Sequence, residues 1–302
     1  MTDISFLRSL TIFLTFKDSS TKSTSFARSF KSSASDPEPG NLIQALESSR
    51  NDVLRELSSP TSTTAVRIVT IEQYLPLVHR LLYSLSNQGQ VNLDADLLFK
   101  WRGPVTITDK FTEYQEIIYE YAMALVALAF FRHKMASELI AVDFTSVAQA
   151  GVHLRTATGI MTHLSESILP SYVSKYGRMN LPPECDENVC LLFAHYFKAA
   201  TQMLVVVNAM IKPSGTPAGV MVKLCQGVVM ELDRCIDVIV RKVSPNFTSK
   251  IDNTKLRIYF AAMRGHYQAL AYKYQAEFKM LDADLPQTGL AIAYCDKALV
   301  RC

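Results

Sequence analysis

Cys235 and Arg241 stand six residues apart, the Cys-x5-Arg spacing in which a thiolate attacks a phosphoryl group while an arginine and a glycine-rich loop hold its oxygens. The residues between them are Ile236, Asp237, Val238, Ile239 and Val240. None is a glycine that could turn backbone N–H groups toward an anion. The stretch reads as helix, where six steps set the two side chains about 120° apart, so the pair is not a phosphate loop. The other chemistry-bearing residues are dispersed. The histidines, His79, His133, His153, His163, His195 and His266, form no His-Glu-x-x-His or other ligand spacing. The cysteines, Cys185, Cys190, Cys225, Cys235, Cys295 and Cys302, include no Cys-x-x-Cys pair, so no zinc or other metal is expected. Most of them lie in apolar helical stretches and read as buried free thiols. No Gly-x-Ser-x-Gly elbow, phosphate loop or dinucleotide fingerprint occurs, so no cofactor is implied and catalysis is not expected.

The surrounding chain is built to bury a core. Of 302 residues, 49% are apolar and only 20% charged, and a net charge of +3 argues against nucleic acid held on a basic surface. No membrane-spanning helix stands out: the longest apolar run, Ile117 to Phe131, is short and carries Glu120. Asn246-Phe247-Thr248 fits the glycosylation triplet, which recurs by chance. Basic and hydroxyl residues near the N-terminus hint at a transit peptide, but Asp3 and Asp18 oppose it. The alternation from Leu10 to Phe16 predicts a short strand instead.

Residues 17–40 read as an extended loop, after which Asn41 is expected to cap a helix that ends at Ser59-Pro60. A second helix, 64–86, should kink or split at Pro76. Leu97 to Trp101 reads as a short extended segment anchoring the only tryptophan. Long helices follow from 111. The cleanest period belongs to Val147, Ala150, Leu154, Ala157, Met161, Leu164 and Ile168, with Pro170 expected to end that helix. Pro182-Pro183 opens a helix to about 211, Lys212-Pro213-Ser214-Gly215 turns the chain, and Thr216-Pro217 caps a helix to about 243. Helices from 254 to 281 and from 287 onward, joined by a loop at 282–286, are similar to a single tetratricopeptide hairpin. Small residues such as Gly265 and Ala271 permit close approach, and aromatics such as Tyr267 and Phe278 fill the gaps.

Several blocks now stand in one order: Leu46-Glu47-Ser48-Ser49-Arg50, Leu98-Phe99-Lys100-Trp101, Tyr119-Glu120 opening an alanine-rich helix, Leu154 to Leu169-Pro170, Thr201-Gln202, the Gly219–Leu224 helix start, and the hairpin. The chain thereby resembles the Bro-one domain of ALIX-type endosomal adaptors, and most the short Brox-type members, over residues 1–302. That resemblance implies a mainly α fold: a curved helical solenoid with a tetratricopeptide-like core and a small N-terminal β element. Ala127 stands where the family usually has asparagine, and several helices usual after the hairpin are expected to be missing beyond Cys302. Cys302 is the last residue, so the prenylation box of Brox-type proteins is not expected.

The resemblance further implies a non-catalytic adaptor, cytoplasmic and peripheral at endosomal membranes through its partners. Its ligand would be the C-terminal amphipathic helix of an ESCRT-III subunit, with no nucleic acid and no small-molecule substrate. Position by position, the partner-binding patch falls on Leu204, Val220 and Leu224. Val220 and Leu224 share one helical face, and Lys223 beside them could meet acidic residues of a partner. The same three residues also suit an ordinary core, since apolar faces mostly point inward. The alternatives are a generic tetratricopeptide-like scaffold for another peptide, or an enzyme whose site would show as a deep polar pocket of clustered titratable groups.

Overall fold

Apolar residues recur every three to four positions along most of the chain, and most of the chain is accordingly helical. The computed structural model describes residues 4–26, 30–32, 37–87, 91–93, 97–176, 181–212, 214–281 and 287–300. The expectations for Pro213, for the loop 282–286 and for Cys302 lie outside them. In chain order the first elements are α1 (Ile4–Leu10), β1 (Ser20–Thr21), β2 (Phe30–Ser32), α2 (Pro37–Ser58), α3 (Thr64–Asn87), β3 (Val91–Leu93), β4 (Phe99–Arg102) and β5 (Thr112–Tyr114). Then come α4 (Ile117–Val142), α5 (Val147–His163), α6 (Leu169–Tyr176), α7 (Glu187–Ile211), α8 (Ala218–Asp237), α9 (Pro245–Thr248), α10 (Asn253–Met280) and α11 (Thr288–Leu299). The chain forms two compact units, one of residues 1–15, 136–159 and 191–302, the other of 16–135 and 160–190.

The second unit holds the small sheet. Its strands run β1-β4-β5, antiparallel, with Ser20 opposite Arg102 and Phe99 opposite Tyr114, while β2 pairs with β3. Trp101 on β4 is fully buried, and it is fixed by a polar network. Glu120 of α4 accepts from the Trp101 indole N–H and the Tyr74 hydroxyl, and its Oε1 lies 2.7 Å from Arg50 Nε. The Arg50 guanidinium also lies over the Trp101 ring, 5.3 Å from its centroid. All four side chains are buried away from water, so each must find its partner within the protein.

Proline behaves differently from the sequence expectation at three places. α2 begins at Pro37, before Asn41, because Pro37 and Pro39 fall in a first turn where backbone N–H groups have no helical partner. α3 runs through Pro76 without splitting. Pro170 does not end its helix: residues 164–168 widen into a π turn in which the Leu169 N–H reaches back to Leu164 O. The wide turn lets α6 continue beyond a residue that cannot donate.

In the first unit, the predicted strand over Leu10–Phe16 is not formed. The segment Leu10–Leu14 follows α1 without sheet partners, and three tyrosines satisfy its backbone instead. The Tyr267 hydroxyl donates to Leu10 O at 2.6 Å, the Tyr259 hydroxyl to Ile12 O at 2.7 Å, and the Leu14 N–H donates to Tyr196 Oη at 2.8 Å. Alternation could not show that the polar backbone here is met by side chains of distant helices and not by a neighbouring strand.

α7 is a core helix. Among the described residues it is long and apolar enough to cross a membrane, which its sequence did not make stand out, yet 67% of its most apolar stretch is buried. It packs along α8, with the Cys235 thiol 3.9 Å from Leu192 O. Thr216 does not cap α8; its hydroxyl donates to Ala209 O and closes the end of α7. α10 and α11 form the expected hairpin, in which Tyr272 and Tyr294 stack at 6.1 Å and the small Ala271 and Ala291 are buried.

Candidate functional site: an apolar groove between α8 and α10

The start of α8 and the end of α10 are brought together by a glycine. A Cβ on Gly219 would lie 3.3 Å from Cε2 of Phe278, so the absence of one lets that ring rest on the α8 backbone. Gly215, at φ 70°, turns the chain into this helix start. Beside the contact opens a groove of about 1010 Å³. Its apolar lining includes Val220 (45% exposed), Phe278 (49%) and Leu281 (77%). Its charged residues are Lys223 and Lys279, the latter with Nζ 5.8 Å from the Phe278 ring centroid; among the described residues no carboxylate lines it.

The three sequence-predicted contact residues part company here. Val220 lines the groove together with Lys223. Leu224, one turn further along α8, is half-buried and does not line it. Leu204 on α7 is 1% exposed and lies inside the core. The α10 wall, Phe278, Lys279 and Leu281, was not foreseen as a contact surface. Phe278 was visible in the sequence, but as a gap-filler of the hairpin; one edge of its ring rests on Gly219 and it is 49% exposed.

The titratable groups do structural work. Cys235 is fully buried and burial pushes its thiol well up, while Arg241 is exposed and pairs with Asp237 at 2.9 Å, so the two never meet around an anion. Glu231 is nearly buried. Burial alone would raise its carboxyl, but His195 at 3.0 Å, Lys198 at 2.9 Å and Arg234 at 2.6 Å hold it below its ordinary value. In the second unit, buried Glu184 accepts from the Thr106 N–H at 2.9 Å, the Val105 N–H at 3.2 Å and the Thr106 hydroxyl; burial outweighs these bonds and raises its carboxyl. Among the described residues, no three His, Cys, Asp or Glu side chains converge as a metal site.

Solved structures share this fold. An ALIX structure in complex with the SIVmac239 PYKEVTEDL late domain matches with TM-score 0.75 at 14% identity, over 96% of this chain and 40% of that one. An ALIX BRO1–CHMP4C complex matches with TM-score 0.75 at 13% identity, over 96% and 78%. A structure described as the basis for endosomal targeting by the Bro1 domain matches with TM-score 0.72 at 16% identity, over 96% and 76%. The chain thus spans less than half the length of the first of these. Among curated protein sequences, none matches. The sequence profile of the BRO1-like domain matches residues 13–302, nearly the whole chain, which therefore belongs to the BRO1-like domain family.

Proposed function

We propose that the chain is a non-catalytic adaptor whose α8–α10 groove grips the C-terminal amphipathic helix of an ESCRT-III subunit. The observation that carries this reading is the chemistry of the groove: exposed Val220, Phe278 and Leu281 beside two lysines, with no carboxylate in the lining among the described residues. An amphipathic helix laid there would bury its apolar ridge on the three side chains and set acidic residues against Lys223 and Lys279. In this reading Leu224, one turn beyond Val220 on α8, would meet the far end of the helix, and buried Leu204 makes no contact with it. Family membership supports the reading, as does the related ALIX BRO1 domain seen in complex with CHMP4C. The adaptor works in the cytoplasm and reaches endosomal membranes through its partners.

The test is a titration of the purified chain against a panel of ESCRT-III C-terminal peptides. At least one peptide is expected to bind, and Val220→Asp is expected to weaken it by about 2 kcal/mol, the scale of a central interface contact. A panel with no binder overturns the reading. The α10–α11 hairpin, with Tyr272 stacked on Tyr294, keeps one rival in view, a tetratricopeptide-like scaffold for another peptide. Tighter binding of unrelated helical peptides than of any ESCRT-III peptide would favour that rival.

A further inference from the structure

From Val238 to Ile258 the chain turns out of α8, through α9, into α10. The corner is firmly pinned. Val243, Ile251 and Leu256 are buried, the Val243 N–H donates to Val238 O at 3.0 Å, and the Ile251 N–H donates to Phe247 O at 3.2 Å. Asp252 caps α10 by accepting the Lys255 N–H at 3.1 Å.

Out of this corner project Arg241, Lys242, Lys250, Lys255 and Arg257, all exposed. The segment contains one carboxylate, that of Asp252, so these 21 residues carry a net charge of +4. The whole chain carries +3, which leaves the remainder at −1. The segment therefore carries a net positive charge that the rest of the chain, taken together, does not. Arg241 has Asp237 as partner at 2.9 Å, and Lys250 lies over the Phe247 ring at 5.6 Å. Lys242, Lys255 and Arg257 show no acidic partner among the described residues, and the nearby Asp233 is engaged by Arg264. Among these cations stand two exposed aliphatic side chains, Val240 (55%) and Ile258 (64%). At about 100° per residue, Ile258 falls between Lys255 and Arg257 around α10.

Five cations and one carboxylate within 21 residues repel on balance, and an anionic surface relieves that repulsion. The companions of the charges narrow the kind of surface. Nucleic-acid sites pair cations with exposed aromatic platforms, and here the one aromatic ring, Phe247, is half-buried beside Lys250. Aliphatic tips ringed by lysine and arginine suit an interface with headgroups outside and acyl chains within. We infer that this corner docks on anionic lipid headgroups, with Val240 and Ile258 entering the interfacial layer. The groove lies at the other end of the same helix pair, since Val220 and Arg241 are about 30 Å apart along the helix at 1.5 Å per residue. A peptide in the groove therefore leaves the corner free.

The experiment is sedimentation of the full chain with phosphatidylcholine vesicles, with and without phosphatidylserine, at low and at physiological salt. The chain is expected to partition onto the phosphatidylserine vesicles and to release as salt rises. Replacing Lys242→Gln, Lys255→Gln and Arg257→Gln together is expected to lower the partition coefficient about a hundredfold, at about fivefold per cation. A control with the same charge loss outside the corner, Lys110→Gln, Arg155→Gln and Lys212→Gln, is expected to bind like the parent. Equal binding to both vesicle types overturns the inference, as does equal loss in the control set. Full displacement by inorganic phosphate would mean a free-anion site, and tighter binding to duplex DNA a general polyanion site; either overturns it too. If the triple variant melts at a lower temperature than the parent, the three single variants are measured in its place, and an undiminished partition in all three is equally fatal.

Discussion

The Arg50–Glu120 pair offers the sharpest test of how the second unit is held together. Replacing Glu120→Gln leaves the buried Arg50 cation without the carboxylate that now lies 2.7 Å from its Nε. Breaking a buried ion pair from one side costs about 3–5 kcal/mol, because the charge that remains has left water without compensation. The new amide must also place its –NH2 toward either the Tyr74 hydroxyl or the Trp101 N–H, both of which now donate to the carboxylate. Arg50→Met is milder, since the carboxylate keeps those two donors. The double variant buries no charge, and its side-chain amide keeps one oxygen for the aromatic donors. It should therefore be more stable than the sum of the single losses implies, by about 2 kcal/mol or more. Trp101 is the only tryptophan, so intrinsic fluorescence during urea unfolding reads this network directly. Additive single losses, or a Glu120→Gln midpoint within error of the parent, would refute the reasoning.

Gly103→Ala is expected to cost about 2–4 kcal/mol, because a Cβ there would stand 2.1 Å from Cδ of Glu184 and drive the buried carboxylate off the Val105 and Thr106 amides; an unchanged melting temperature would contradict this. Burial raises the Glu184 carboxyl above its unfolded value, so the folded form favours the proton, and its contribution to stability is full at acid pH and is lost as pH rises through the raised pKa. Glu184→Gln should remove that slope, and denaturation midpoints of parent and variant that run parallel from pH 4 to pH 8 would show the sign to be wrong. Leu204→Asp buries an unpaired charge and should cost several kcal/mol of stability, whereas Val220→Asp should barely move the melting temperature; comparable losses would mean that Val220 is core.

Much of the second unit was legible as order without contact. Arg50, Trp101 and Glu120 stood in three separate blocks of the sequence, and nothing in periodicity joins residues 51 and 19 positions apart. Only the fold shows that they share one carboxylate. The buried face of α5 was readable because Val147, Ala150, Leu154, Ala157 and Met161 keep a helical step, and all five are buried. Pro170 misled because the rule assumes an α-helical ladder, and a π turn changes which N–H is needed. At the site, Val220 and Leu204 are indistinguishable by pattern, since each belongs to an apolar stripe. Which stripe faces solvent depends on what packs against it: Leu204 is enclosed, while Val220 at the start of α8 is 45% exposed beside the Phe278 ring on Gly219. Glu184 carried no signal, because two of its partners are backbone amides, which every sequence possesses, and the third is the hydroxyl of Thr106, 78 positions away.

The disposition of charge also bears on the division between scaffold and surface. Glu120 and Glu184 are withdrawn into the interior as acceptors, and Glu231 is enclosed by Lys198, Arg234 and the His195 ring. Carboxylates committed in this way cannot neutralise surface lysines elsewhere. Among the described residues, what the α8–α10 pair leaves without a carboxylate partner is cationic and apolar together: Lys223 and Lys279 beside Val220 and Phe278 at one end, and Lys255 and Arg257 beside Ile258 at the other. A general acid, base or nucleophile must be accessible to its substrate, and Glu120, Glu184 and Glu231 are buried. The exposed lysines and aliphatic side chains of the α8–α10 pair are the chemistry on which the proposed groove and corner both rest: an acidic edge and an apolar ridge on one ligand would meet both.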